Sequence, residues 1–279
     1  MKMKAVRFHE FGGPEVLRVE EVPDPSGDTL VDVTAIGLNY GETVIRRGKG
    51  RELFPWYPGP SLPAVLGSEV VGTTADGRRV MGVPRDGAYA TKAVVEDPVE
   101  VPEDVSDHEA LALLLQGTTA VAATRAARIR PGDRVLVEAA SGGVGSLLVQ
   151  LARRAGAVVL EASSKGGIGY DWTGLEPVDV VFESIGGEVG KRAFELLKDG
   201  VGRMVVFGYA SGEPLDVTAS DIFRKGVAVM GLPRDVTPEE VFAHHLEPVL
   251  GDVYALDEIA EAHRALEART TTGKLIARP

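Results

Sequence analysis

Arg134-Val-Leu-Val-Glu-Ala-Ala-Ser-Gly-Gly-Val-Gly-Ser-Leu-Leu-Val-Gln-Leu-Ala152 decides how the chain is read. An apolar run enters a turn made almost wholly of small residues, and an amphipathic run leaves it. That order predicts a buried strand, a tight turn and a helix. The first turn of such a helix offers unpaired N–H groups and a partial positive charge, which suit a pyrophosphate. Small residues let phosphate approach the backbone, and Gly145 would let the helix pack closely on its sheet. Ala140, Gly142 and Gly145 occupy the three positions of the dinucleotide fingerprint, with alanine at the first. A bare glycine pattern is weak, but the flanking strand, the helix and a second strand near Val158 make it specific. Ser141, Gly142, Gly143, Val144 and Gly145 are the expected phosphate contacts.

The next strand tells which dinucleotide is expected. NAD binders carry an acidic residue about 20 residues on, which holds the ribose 2′-hydroxyl. Ser163-Ser164-Lys165 stands there instead. Two hydroxyls and an ammonium favour a 2′-phosphate, so NADPH is expected rather than NADH. Glu161 comes two residues early and reads as a solvated strand residue.

Outward from this segment, strands and helices alternate. Strands are expected at Val135–Ala139, Val158–Ala162, Val178–Glu183, Gly202–Phe207 and Val227–Gly231, and helices at Gly143–Ala155 and Lys191–Leu197. Such alternation predicts a parallel sheet covered by helices. Toward the N-terminus, short apolar runs (Met3–Phe8, Leu30–Ala35, Val65–Gly72, Arg79–Val83) are parted by Gly and Pro turns, as in a compact β unit. Leu53–Pro63 holds four prolines with Trp56 and Tyr57 and reads as a loop. Ser106 to Glu109 forms a capping box ahead of a helix at Ala110–Leu115, and a second short helix is expected at Thr118–Arg128. A helix at Asp257–Ala268 and a strand at Lys274–Ala277 close the chain.

Composition narrows the function. The chain has 279 residues, 44% hydrophobic and 25% charged, with a net charge of -11. The acidic balance argues against nucleic acid and anionic membrane as partners. No apolar signal core and no run of about 18 apolar residues stand in the sequence, so a cytoplasmic protein that needs no membrane is expected. The absence of cysteine removes disulfides, thiolate ligands and a thiol nucleophile together. The five histidines are scattered, without strong ligand spacing. No Ser/His/Asp set or carboxylate pair demands other chemistry.

Several segments together resemble the medium-chain dehydrogenase/reductase superfamily, in its zinc-free quinone oxidoreductase (zeta-crystallin-like) branch. They are Ala139-Ala-Ser-Gly-Gly-Val-Gly with Gln150-Leu-Ala, and the opening Met3-Lys-Ala-Val-Arg-Phe-His-Glu-Phe-Gly-Gly-Pro-Glu-Val-Leu. Ala35-Ile-Gly-Leu-Asn-Tyr, Leu66-Gly-Ser-Glu-Val-Val-Gly, Gly87-Ala-Tyr-Ala, Gln116-Gly-Thr-Thr-Ala and Gly273-Lys-Leu-Ile belong to the same resemblance, which spans nearly the whole chain. It implies an α/β protein: a GroES-like β-rich substrate domain at 1–115 and 251–279 around a doubly wound Rossmann domain at 116–250. It also implies a homodimer, NADPH as cofactor, and hydride transfer to a small-molecule quinone or activated alkene (enone). Asn39 and Ser68 stand where zinc-dependent relatives place ligands, so zinc is not expected.

By the same resemblance, Ser163, Ser164 and Lys165 face the 2′-phosphate, and Tyr170 packs near the adenosine. Ser184 follows the fourth strand. Phe207, Gly208, Tyr209 and Ala210, with Gly231 and Leu232, hold the nicotinamide. Asn39 and Thr119 lie near the nicotinamide and substrate. A hydroxyl or amide, Tyr40 or Asn39, is suited to polarise a substrate carbonyl. The chain also departs from the pattern. Only Gly166–Gly169 separate the Ser-Ser-Lys run from Tyr170, too few for a helical crossover. The Rossmann sheet is therefore expected to be shortened beside the adenosine pocket, and a second shortening is expected around Pro238–Asp252. The family aromatic after Asn39 is missing; Tyr40, Trp56, Tyr57 and Tyr89 are candidates to replace it. Two alternatives stay open: a non-catalytic NADPH-binding homologue, and a pathway-specific enoyl reductase.

Overall fold

The computed structural model describes residues 2–53 and 57–279, so Trp56 and part of the proline-rich loop lie outside the described residues. The chain divides into two units, Met1–Leu115 with Pro248–Pro279, and Gln116–Glu247. The first begins with β1 (Lys2–Phe8), β2 (Arg18–Pro23), β3 (Leu30–Leu38), α1 (Tyr40–Arg46) and α2 (Gly50–Leu53). It continues through β4 (Ala64–Val65), β5 (Val70–Thr74), β6 (Arg79–Pro84) and β7 (Lys92–Glu100) to α3 (Asp107–Ala127), whose residues from Gln116 onward belong to the second unit. The second unit holds β8 (Arg134–Val137), α4 (Gly143–Arg154), β9 (Val158–Ser163), β10 (Gly166–Gly167), β11 (Val180–Glu183) and α5 (Gly187–Glu195). After these come β12 (Arg203–Val206), α6 (Ala219–Lys225), β13 (Ala228–Met230) and α7 (Pro238–Ala243). The chain then returns to the first unit with β14 (Leu250–Ala255), α8 (Ile259–Glu267) and β15 (Lys274–Arg278).

In the first unit one sheet runs β14-β15-β3-β5-β6-β7, and β7 also pairs with β3, which closes four strands on themselves. Closure removes exposed edges, a recurrent solution for short antiparallel strands. A second sheet, β2-β1-β4, completes this GroES-like unit. Phe8, Val31, Ile36, Val70, Val80 and Tyr89 are buried in its core. Two details differ from the sequence reading. The run Val65–Gly72 is not one strand: it breaks after Val65 and resumes at Val70. Gly67 takes φ +100 in the gap, a backbone state that suits glycine, and Ser68 and Glu69 turn into a polar cluster. The two helices expected after Ser106 are one continuous α3. Gly117 costs only about 1 kcal/mol relative to alanine in a helix interior, which packing of the many buried residues along α3 outweighs.

The second unit is a Rossmann sheet with order β10-β9-β8-β11-β12-β13. The five strands β9, β8, β11, β12 and β13 pair parallel, each with the next. Val135, Leu136, Val137, Val180, Val181 and Phe182 are all fully buried, as expected where helices cover both faces. The place of a further parallel strand beyond β9 is taken by β10, two residues paired antiparallel to it. The sheet is shortened there, as the short Gly166–Gly169 link requires.

Candidate functional site

In the second unit the glycine turn leaves β8 at its C-terminal end. Ala139 takes φ +48, strained for a residue with a side chain, and its carbonyl accepts from Gly142 N at 2.8 Å. Gly142 caps α4 in an extended conformation and has no side chain to satisfy the first-turn amides; no acidic residue stands in that turn. The amides of Gly143, Val144 and Gly145 are first-turn groups that the helix itself does not satisfy. A Cβ at Gly145 would lie 2.2 Å from the Ala139 carbonyl oxygen, so only glycine lets α4 start this close to the turn.

The hydroxyls of Ser141 and Ser163 are 2.7 Å apart, and Lys165 N donates to Ser163 Oγ at 3.1 Å. Ser163 is buried and bonded locally, whereas Ser164 and Lys165 are exposed. The Tyr170 hydroxyl accepts from Ala139 N at 3.3 Å, so this aromatic is tied to the glycine turn; its ring meets Trp172 edge-on at 6.1 Å. After β11, the Ser184 and Ile185 carbonyls accept from Ala210 N (2.9 Å) and Ser211 N (2.8 Å). That lacing brings Ser184 together with Phe207, Gly208, Tyr209 and Ala210, all half-buried. The Ser184 hydroxyl oxygen is buried without a hydrogen-bond partner. Gly231 is exposed and Leu232 half-buried, just beyond β13. Thr119 is half-buried on α3, in the same unit.

In the first unit the functional candidates meet in a buried polar cluster. Asn39 precedes α1, and Glu42 reaches back to accept from Asn39 N at 2.9 Å. Asn39 Nδ2 donates to Glu69 Oε1 (2.8 Å) and Ser68 Oγ (3.1 Å). Ser68 donates to Glu42 Oε1 from both its amide (2.9 Å) and its hydroxyl (2.8 Å). Strand β15 pairs antiparallel with β3, Leu275 opposite Leu38, which carries Lys274 alongside Asn39. The Lys274 ammonium donates to Asn39 Oδ1 at 2.8 Å and pairs with Glu69, both side chains only 1% exposed. Tyr40, the first residue of α1, is half-buried, and its carbonyl accepts from Thr43 Oγ1 at 2.8 Å.

A second tier backs this cluster. The Tyr89 hydroxyl donates to Glu42 Oε2 at 2.5 Å and lies 2.9 Å from His263 Nε2. Arg46 Nη1 lies 3.2 Å from His263 Nδ1, and Arg46 also pairs with Glu267. Arginine can only donate, so Nδ1 accepts and Nε2 carries the proton toward Tyr89. Burial and the Arg46 charge push His263 down to about 3, which keeps it neutral. Burial raises Glu42 and Tyr89 above their ordinary values. A pocket of about 670 Å3 in this unit is lined by Ile45, Tyr57, Pro60, Leu66, Ser68 and Glu42 among others.

Glu42, Arg46, Glu69 and His263 are not among the site residues expected from the sequence. A signal was present: Asn39 and Glu42 have the spacing of a helix cap, and Glu69 opens an apolar strand run, where a lone carboxylate needs a partner.

Comparison with known proteins bears on the whole chain. Residues 162–276 match a family described as zinc-binding dehydrogenase. Human quinone oxidoreductase is 30% identical over 324 residues, covering 98% of this chain and 97% of that one. The aligned length exceeds the 279 residues here, so the relative carries segments this chain does not. Among solved structures, quinone oxidoreductase from Coxiella burnetii superposes with a TM-score of 0.84 at 27% identity, covering all of both chains. That of Thermus thermophilus, solved also in complex with NADPH, gives 0.82 at 30% identity, covering 99% of this chain and 100% of that one. With this fold, this glycine turn and these relatives, the chain belongs to the quinone oxidoreductase branch of the medium-chain dehydrogenase/reductase superfamily.

Proposed function

We propose that the chain is an NADPH-dependent reductase that passes hydride to a quinone or an enone without zinc. The observation that carries this reading is the start of α4: an uncapped, acid-free helix N-terminus, approached so closely by the turn that Gly145 admits no Cβ. The residues present fit NADPH. The amides of Gly143, Val144 and Gly145 receive the pyrophosphate, with Ser141 beside them. Ser164 and Lys165, exposed after β9, meet the 2′-phosphate, and Tyr170 borders the adenosine. The buried Ser184 oxygen that lacks a partner gains one from the cofactor. Phe207 to Ala210 and Gly231–Leu232 flank the nicotinamide, as does Thr119. When bound, NADPH supplies the hydride. A proton from solvent completes the reduction, giving a hydroquinone or a saturated ketone. That NADPH accompanies the Thermus relative in its solved complex supports the cofactor.

The donor set does not suit zinc. The chain has no thiolate to offer. Asn39 and Ser68 present an amide and a hydroxyl, and the Lys274 ammonium already engages Asn39 Oδ1 and Glu69 Oε1. Among the described residues no group of three or more His, Asp or Glu side chains is arranged to hold a metal. The segment that matches the zinc-binding description, 162–276, does not reach residues 39 or 68. Asn39 has both amide hydrogens committed, so it orients Ser68 and Glu69, and the Tyr40 hydroxyl is the proposed donor to a substrate carbonyl.

Calorimetric titration with NADPH and NADH, followed by oxidation assays with quinones and enones, tests this. Tighter binding of NADPH with turnover is expected; binding without turnover favours the second reading, a non-catalytic NADPH-binding homologue. The observation behind that alternative is β10, which leaves the adenosine side of the sheet short.

A further inference from the structure

Glu138 directly follows β8, Glu183 ends β11, and both are fully buried. Glu138 Oε2 accepts from Ser184 N (3.0 Å) and Ile185 N (3.3 Å). Glu183 Oε1 accepts from Ile185 N at 2.9 Å and from Gly186 N. The backbone of residues 184–186 thus hangs on two carboxyl groups. Each carboxyl has one further oxygen, Glu138 Oε1 and Glu183 Oε2, that is buried and receives no N–H or hydroxyl donor. Both carboxyls accept from the same amide, Ile185 N, which brings Glu138 Oε2 and Glu183 Oε1 side by side. A proton on one carboxyl lets it donate to the other, which an ionised carboxylate cannot do. Two adjacent charges at this depth would also repel strongly.

Among the described residues no cation relieves the pair. On α5, which packs so closely that a Cβ at Gly190 would lie 2.9 Å from Glu183 Oε1, the charged residues Glu188, Lys191, Arg192 and Glu195 are all exposed. On α4, Arg153 and Arg154 are exposed; on β9, Glu161 pairs with Arg153, and on β12, Arg203 pairs with Asp133. Ser184 faces the pair only through its amide. Burial, with the Glu183 charge beside it, pushes Glu138 up to about 8, and burial raises Glu183 as well.

We propose that Glu138 and Glu183 are positioning residues that share one proton, and that this proton holds the turns after β8 and β11 in the arrangement that receives NADPH. The inference rests on the reading that the chain binds NADPH. The physical route is short. Glu138 is followed directly by Ala139, whose carbonyl anchors the glycine turn. Glu183 and Glu138 hold residues 184–186, whose carbonyls in turn anchor Ala210 and Ser211. Loss of the shared proton places two like charges under both turns. They repel each other, and they oppose the phosphates of the cofactor.

The test compares wild type with Glu138→Gln by calorimetric titration with NADPH from pH 6.5 to 9.5, and by thermal denaturation without ligand over the same range. Wild-type affinity is expected to fall about tenfold between pH 7 and 9, the effect of about one unit of linkage between proton and ligand. In Glu138→Gln the amide donates to Glu183 at every pH, so binding stays at its pH 7 strength. The wild-type melting temperature falls from pH 6.5 to 8, and that of the variant does not. Glu183→Gln, whose amide donates to Glu138 instead, is expected to behave alike and serves if the first variant does not fold. Equal pH dependence in wild type and variant overturns the proposal. Should wild type bind no NADPH at any pH, the NADPH reading fails, and the melting profiles still decide the shared proton: parallel profiles reject it.

Discussion

Lys165 and Lys274 show how differently one residue type acts. Lys165 is exposed beside the end of β9. Lys165→Glu is expected to weaken NADPH at least tenfold more than NADH, by titration; equal loss for both would sink the 2′-phosphate assignment. Lys274 is buried against Glu69 and Asn39. Lys274→Met leaves Glu69 charged and unpaired in the interior, which costs about 3–5 kcal/mol in buried pairs. Denaturant unfolding should show that loss, and Lys274→Met with Glu69→Gln together should recover part of it. Gly145 acts through what it lacks. Gly145→Ala drives a methyl group into the Ala139 carbonyl, so α4 must move off the turn. Loss of NADPH binding is expected, with about 1–3 kcal/mol of destabilisation from overpacking. The close packing at Gly145 was legible from the sequence because it depends on neighbours a few residues away. The partners of Lys274 are 205 and 235 residues distant, and only folding brings them together.

At the scale of elements, α4 and the strands of the second unit follow their local patterns closely, whereas α5 starts at Gly187 rather than at the expected Lys191. α4 begins at Gly143 as the glycine turn implies, and β9, β11, β12 and β13 fall within a few residues of the apolar runs that predicted them. α6 carries its own start signal: Thr218 Oγ1 accepts from Asp221 N at 3.2 Å, and the Asp221 carboxylate accepts from Thr218 N at 3.0 Å. Thr218→Ala is expected to cost about 1 kcal/mol, read as a lower melting temperature. Other elements were hidden. β2, β7 and β14 carry exposed charged residues between apolar ones, so their pairing rather than their composition makes them strands. The break between β4 and β5 was equally hidden, because Val65–Gly72 reads as one apolar run until Ser68 and Glu69 find Asn39 and Glu42.

For the whole molecule, two buried titrations predict the shape of the stability profile. His263, in the first unit, is held neutral with its value lowered to about 3, below the ordinary 6.5. The unfolded chain binds a proton there between these values and the folded chain does not, so stability falls as pH drops from 6.5 toward 3. Glu138, in the second unit, is raised from 4.5 to about 8. Here the folded chain keeps a proton that the unfolded chain loses, so stability falls as pH rises from 4.5 to 8. The two contributions cancel between 4.5 and 6.5. The expected profile is a plateau there, with each limb beyond it sloping by about 1.4 kcal/mol per pH unit for one proton. Thermal denaturation from pH 4 to 9 checks this. Glu138→Gln should flatten the alkaline limb and extend the acid slope up to pH 6.5, because His263 is then uncompensated on the former plateau; an unchanged alkaline limb would remove Glu138 as its source. By itself the sequence determined the Rossmann turn, its helix, the missing crossover beside Lys165 and the family, because each is written in local spacing of small and apolar residues. Only the tertiary structure decided the two buried networks, Asn39–Glu69–Lys274 with its Tyr89–His263 backing and the Glu138–Glu183 pair. Their members are scattered along the chain, and their protonation is set by burial and neighbours that exist only once the strands have paired.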